Sequence, residues 1–280
     1  MRLDSYLAKH HPEHSRATWQ KFIKFGYVTV DGATEENVAR AVDSSNFIKF
    51  DLPATPDFAD QKLPIIYEDD NVLVINKPAG VLTHSKGALS DEFTVADFIK
   101  TQAGKTSDLP DNNRFGIVHR LDRGTSGVII GAKNAASLKY LQKQFSDHKV
   151  KKTYLAVVGK VPKQFDEKET EDGFRIDLPI GRNPKKPATF RVDPKGKPAV
   201  TDVRLLQTFP DGTALLELKP QTGRTHQLRV HLAYIGAPIV GDVVYGDGAK
   251  AAERMLLHAR ELEITIPAGQ RKTFTAECQK

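Results

Sequence analysis

The chain has 280 residues, 39% hydrophobic and 27% charged, which is long and apolar enough for one large domain plus a small one. Lys and Arg outnumber Asp and Glu by 41 to 35, a formal charge of +6 that suits a polyanionic partner without requiring one. The lone Cys278 excludes an internal disulfide and a Cys-x-x-Cys metal framework, and neither a signal-peptide core nor a membrane-length apolar run is present, so a cytoplasmic protein is expected.

Leu3, Leu7, Trp19, Phe22 and Ile23 recur at helical spacing, with Ser15 placed to cap a second helix and Gly26 to end it. YVTVDG then alternates and turns at Asp31-Gly32, and FIKFDL at 47–52 supplies another strand, closing a small unit over 1–52. PATPDFADQKLP reads as a linker over 53–64.

From residue 65 onward the reading is a long mixed body. IIYEDDNVLVINKPAG gives short strands around a turn, EFTVADFIKTQ a helix, and FGIVHRLDRGTSGVIIGA two apolar strand-like runs around a polar loop. NAASLKYLQKQFSDH is amphipathic, with Leu138, Leu141 and Phe145 on one face. KTYLAVVG, AVTDVRLLQTF and TALLELKP are strands, and RTHQLRVHLAYIG is a helix with Thr225 near its cap and Gly236 at its end. The elements follow no regular βαβ rhythm, which predicts an α+β body rather than a doubly wound sheet.

The small unit carries five Lys/Arg against two acids over residues 1–30, but seven of each through residue 52, so only one face of it can be basic. Arg16, Lys21 and Lys24 on one short helix could track a phosphate backbone or simply be a solvated face. RLDSYL…SRATWQKFIKFGYVTVDG resembles the α-L RNA-binding motif, but where that family has a Lys and then Gly-Asp before its last strand this chain has VDSSNFIKF. The resemblance implies a small N-terminal α/β RNA-binding domain.

HRLDRGTSGV at 119–128 concentrates Arg120, Asp122, Arg123, Thr125 and Ser126 in a loop between apolar runs. Cations beside a carboxylate favour its charged form, which suits a nucleophile or base better than a general acid. From the residues alone, a surface turn whose Asp and Arg merely pair is the favoured reading. The loop resembles the active-site motif of the bacterial pseudouridine synthases typified by RluA and RluD. YEDDNVLVINKPAGVLTH (67–84), KKTYLAVVGK (151–160), KPQTGRTHQLRVHLAYIGAPIVGDVVYG (219–246) and LLHA (256–259) resemble that family's other motifs, in its order.

Membership implies a catalytic domain over 65–280 with a mixed, largely antiparallel sheet, and an isomerase acting on uridine in structured RNA. Asp122 is then the catalytic carboxylate, attacking the nucleotide covalently or acting as a base on the sugar. Tyr154 stacks on the extruded base and assists proton transfer, where the plain reading is a half-buried core tyrosine. Arg229 pairs with Asp122. Arg120, Arg224, His226 and Gln227 are candidate RNA contacts, as are KVKK at 149–152 and the six Lys/Arg of 182–197. No cofactor or metal is expected: His226 and His231, five apart, sit roughly 140° apart on a helix, poor ligand geometry.

The expected substrate is large-subunit ribosomal RNA, with transfer RNA as the alternative, and the expected state is a monomer. Two other classes stay open. One is a non-catalytic RNA-binding or ribosome-assembly factor on the same fold. The other is a glycosyl hydrolase, which would need a second carboxylate such as Asp69, Asp70 or Asp242.

Overall fold

The computed structural model describes residues 1–54, 56–85, 91–104, 106–110, 112–166, 173–246 and 252–278, so position 55 of the expected linker lies outside the described residues. The chain divides into two units, one built on Met1–Phe58 and the other on Ala59–His84 and Phe93–Lys280.

In the first unit, α1 (Leu3–His10) and α2 (Arg16–Lys24) precede β1 (Val28–Val30), β2 (Ala33–Thr34) and β3 (Ile48–Phe50). Ser15 caps α2 by accepting from the Thr18 amide at 3.2 Å. Asp31 and Gly32 both turn with positive φ (54° and 86°), the backbone of a tight hairpin, and β3 pairs on the other side of β1. Leu3, Leu7, Trp19, Phe22 and Ile23 form one core with Val28 and Val30. Asp4 is fully buried beneath α2, accepting from Arg2, Arg16 and Gln20. The Arg2 hydrogen bonds first, then Gln20 and Arg16, hold its carboxyl far below the usual range against the cost of burial.

The second unit is built on one large sheet. Its elements are β4 (Ile65–Glu68), β5 (Val72–Lys77), α3 (Val95–Ala103), β6 (Ser126–Ala132), α4 (Ala135–Ser146), β7 (Lys151–Val158), β8 (Phe174–Asp177), β9 (Ile180–Arg182), β10 (Phe190–Val192), β11 (Val200–Thr208), β12 (Ala214–Pro220), α5 (Gln227–Tyr234), β13 (Leu257–Thr265) and β14 (Arg271–Thr275). The strand order is β4-β5-β6-β13-β7-β12-β11-β8, with β14 beside the far half of β13 and β9-β10 a separate ribbon. Among the described pairs only β6–β13 is parallel, so the fold is α+β with a largely antiparallel sheet, as the residue pattern predicts.

The apolar runs of β5 and β6 follow from helices on both faces. Leu73, Ile75 and Ile129 pack with Phe98 and Ile99 of α3, while Val72, Val74, Val128 and Ile130 pack with Leu141 of α4. The run 115–118 lies along the edge of β6 beyond Gly127, past the two residues, Ser126 and Gly127, at which β13 pairs with it. It forms turns with one isolated bridge, Ile117 to Gly131, instead of the strand expected there. No helix among the described residues is long and apolar enough to cross a membrane.

Gly127 fixes the junction that matters most for the site. It has φ +114°, and a Cβ there would fall on the carbonyl of Ala259 on β13. Gly127→Ala should therefore lower unfolding stability by more than about 3 kcal/mol in a urea titration, since strain and backbone collision act together. A loss under about 1 kcal/mol would mean the two strands part easily.

Candidate active site

The loop before β6 is pinned on both sides of Asp122. Thr83 Oγ1 donates to the Leu121 carbonyl (2.8 Å) and accepts from the Leu121 amide (3.2 Å). Past Asp122, the Gly80 amide donates to the Arg123 carbonyl at 2.8 Å. Lys77, with no exposed surface, donates to the carbonyls of Pro78 and Val81 (2.8 Å each) and of Arg123 (3.3 Å). Burial pushes its amine down to about 7 against the pull of the Asp122 charge, while Arg123 lowers it further. KPAGVLTH is thus a clamp on the loop. At the loop's far end Ser126 Oγ lies 2.9 Å from His258 Nδ1, and His258 Nε2 donates to the Ala276 carbonyl at 3.1 Å, which gives LLHA its place.

Asp122 opens onto a cavity of about 510 Å³ that Arg120, Lys152, Tyr154, Arg224, His226 and Arg229 also line. Arg229 Nη1 donates to Asp122 Oδ2 at 3.1 Å. Its Nε and Nη2 donate to the two oxygens of Asp242, both at 2.8 Å, and Asp242 also accepts from the Val244 and Tyr245 amides. Side-chain exposure falls from 20% at Asp122 to 9% at Arg229 and 1% at Asp242. Burial by itself would lower the Arg229 guanidinium, but the hydrogen bonds and charges of Asp242 and Asp122 outweigh it and raise it. Burial would likewise raise Asp242, and Arg229 with the two amides holds it below its ordinary value. Asp242 thereby fixes the fork of Arg229 and leaves one edge for Asp122.

Tyr154 sits in the middle of the sheet, opposite Leu218 on β12 and Ala259 on β13. Burial, then the Asp122 charge, push its hydroxyl well above the usual tyrosine value. Such a phenol stays protonated, so it can stack and donate but is poorly suited to abstract a proton.

This arrangement coincides with a family match. Residues 71–234 match the model of the RNA pseudouridylate synthases. The chain belongs to that family. It is 42% identical over 225 residues to the ribosomal large subunit pseudouridine synthase D of Borreliella burgdorferi, covering 78% of this chain and 66% of that one. To the protein of the same name from Nitrosomonas europaea it is 37% identical over 287 residues, covering 95% and 78%. Among solved structures, human RNA pseudouridylate synthase domain containing 1 superposes with a TM-score of 0.63 at 28% identity, covering 80% of this chain and 86% of that one.

Within the pseudouridylate synthase frame, the residues singled out from sequence divide. Asp122, Tyr154, Arg229, Arg120, Arg224 and His226 share the cavity wall. Gln227 lines it too but has another job. It is 4% exposed; its Oε1 accepts from Thr222 Oγ1 and the Arg224 amide, and its Nε2 donates to the Val200 carbonyl and Thr201 Oγ1. All four of its hydrogen-bonding positions are used within the protein, so its side chain latches α5 to β11 and the Thr222 loop. Thr225 does not cap α5; His226 does, in a left-handed backbone (φ 56°, ψ 20°) and without a side-chain cap bond. His231 is taken by Thr201 Oγ1 and the Leu178 carbonyl.

In the first unit Lys21 and Lys24 are exposed, whereas Arg16 is bound to Asp4. Of KVKK, Lys152 faces the cavity. Sequence reading passed over Lys77 and Tyr245, and met Asp242 only as a spare acid. The signal for Asp242 was its place in the quoted GDVVYG; nothing local marks Lys77 as buried.

Proposed function

We propose that this chain isomerises uridine to pseudouridine in large-subunit ribosomal RNA, with Asp122 as the catalytic carboxylate. The observation that carries the reading is the Asp122–Arg229–Asp242 ion chain, 3.1 and 2.8 Å long, at the wall of a cavity roomy enough for a nucleotide. Two relatives named ribosomal large subunit pseudouridine synthase D support the substrate.

The target base must leave its stack to reach such a cavity. The bond from N1 to C1′ breaks, the base turns, and C5 bonds to C1′; the C5 proton leaves and N1 regains one. Asp122 acts at the sugar, by attack or by proton removal, while Arg229 aims it. Tyr154 supplies the stacking face and a hydrogen-bond donor. Arg120, exposed at the cavity rim, and Arg224 are placed for the displaced strand and its phosphates. Lys21 and Lys24 of the first unit add salt-sensitive backbone contacts. The expected domain organisation (1–52 for RNA, 65–280 for chemistry) belongs to this proposal. A two-carboxylate hydrolase is disfavoured, since Asp242 is enclosed by Arg229 and Asp69 is spent on the Asn71 and Val72 amides.

The test uses transcripts of ribosomal and transfer RNA tritiated at C5 of uridine. Tritium release from the ribosomal transcript without free uracil is expected. Release from transfer RNA alone would move the substrate, free uracil would indicate hydrolysis, and tight binding without release from either would leave a binding protein.

A further inference from the structure

We propose that Tyr245 is a positioning residue that fixes the tautomer of His226, so that the imidazole presents Nε2–H to the Asp122 carboxylate. The inference rests on the functional reading above and adds a component to that site. The Tyr245 hydroxyl lies between two groups. It accepts from the Phe190 amide at 2.9 Å, and its oxygen is 2.8 Å from His226 Nδ1. A backbone amide can only donate, so the one hydroxyl proton of Tyr245 is free to go to Nδ1. A neutral imidazole that accepts at Nδ1 carries its hydrogen on Nε2. At the other end of the ring Nε2 stands 3.8 Å from Asp122 Oδ1. A bare nitrogen there would set a lone pair against a carboxylate, whereas an N–H meets it favourably. Both ends of the ring call for the same tautomer.

The surroundings hold the ring in place. Phe190 and Tyr245 meet it edge-on, with centroids at 5.8 and 5.5 Å, and the Tyr245 ring also lies 5.0 Å from the Arg229 guanidinium carbon. His226 keeps a left-handed backbone that a non-glycine residue adopts only where its neighbours impose it. The charged groups facing it are Asp122, Arg229, Asp242 and Arg120; burial first, with the two arginines, lowers its affinity for a second proton against the two carboxylates. A neutral ring is the form in which the tautomer matters.

The 3.8 Å gap is longer than a hydrogen bond, so in this state Nε2–H is aimed and not yet engaged. It can close on Asp122 or on a nucleotide oxygen placed between them. The amide of Phe190 belongs to β10, which lies within the basic stretch 182–197, so the hydroxyl also ties that ribbon to the catalytic centre.

The decisive measurement is imidazole ¹⁵N NMR on histidine-labelled protein, wild type and Tyr245→Phe, with His226→Gln to assign the signal. Wild type should show a protonated Nε2 and a bare Nδ1 for His226, and Tyr245→Phe should lose that preference. In single-turnover tritium release the variant should slow about tenfold, the worth of one hydrogen bond, with RNA affinity within about twofold. A proton on Nδ1 in wild type overturns the proposal, as does an unchanged tautomer in the variant. So does a lost tautomer with an unchanged rate, or a loss confined to RNA affinity. If Tyr245→Phe does not fold, the wild-type spectrum alone decides. Absence of tritium release by wild type would sink the functional reading, while the spectrum still judges the tautomer.

Discussion

Asp122→Asn should give a folded protein that still binds RNA and releases tritium at least about 10³-fold more slowly than wild type. The substitution keeps the shape of the side chain and removes its charge, which either chemical route at the sugar requires. Folding should survive because Arg229 keeps both of its 2.8 Å bonds to Asp242, so no guanidinium is left unpaired in the interior. Asp122 is also the most exposed member of the chain of charges, at 20%. The melting temperature should shift by no more than about 2 °C, within the range of a surface change. Single-turnover tritium release and a thermal melt on the same preparation check both halves. A variant within tenfold of wild type would remove Asp122 from the chemistry.

Asp242→Asn should carry the larger cost in stability. The wild-type carboxylate is 1% exposed and accepts from two guanidinium nitrogens and two backbone amides. An amide side chain must turn its NH₂ toward at least one of those donors, and it leaves Arg229 with only Asp122 as a counter-charge. Breaking one partner of a buried pair costs about 3–5 kcal/mol, which for a unit of this size is a fall of roughly 6–20 °C in melting temperature. Activity should drop as well, since the fork that aims Asp122 is loosened.

Acid supplies an independent check. The folded Asp242 carboxyl lies below its ordinary value, so its contribution is complete above the unfolded value of about 3.9 and is lost as pH falls through the folded one. The gap in melting temperature between wild type and Asp242→Asn should be full at pH 7 and narrow below about pH 4. A gap that stays constant into acid would mean the loss is one of packing and not of charge.

What could be read from sequence and what could not divides along a physical line. Ser15, the Asp31-Gly32 turn and the amphipathic run of α4 announce themselves because caps, turns and one-sided helices are decided by neighbours in the chain. The run at 115–118 looks like a strand by composition, yet along β6 it makes one bridge, Ile117 to Gly131, beside turns. Asp122 and Arg229 lie 107 positions apart, so their pairing was legible through family motifs and through nothing local. Lys77 reads as one more surface lysine until its three carbonyl partners are seen. The internal hydrogen bonds of the Gln227 amide, to Thr222 and Val200, are likewise beyond the reach of sequence. His226 looks like a helix residue, and neither its left-handed backbone nor its edge-on contacts with Tyr245 and Phe190 can be seen in any window of sequence.

The place of β13 has a consequence for how the protein comes into being. Among the described strands, β4, β5 and β6 form one hydrogen-bonded group and β7, β12, β11 and β8 another, and β13 alone pairs with both. It is synthesised after every one of them. During translation the two groups can each zip up as they emerge, but their facing edges, β6 and β7, stay open until Leu257–Thr265 clears the ribosome. An open apolar edge is where nascent chains stick to one another, and closing it joins residues more than a hundred positions apart, a slow step for a sheet. The loop bearing Asp122 therefore gains its seat against β13 only at the end of synthesis.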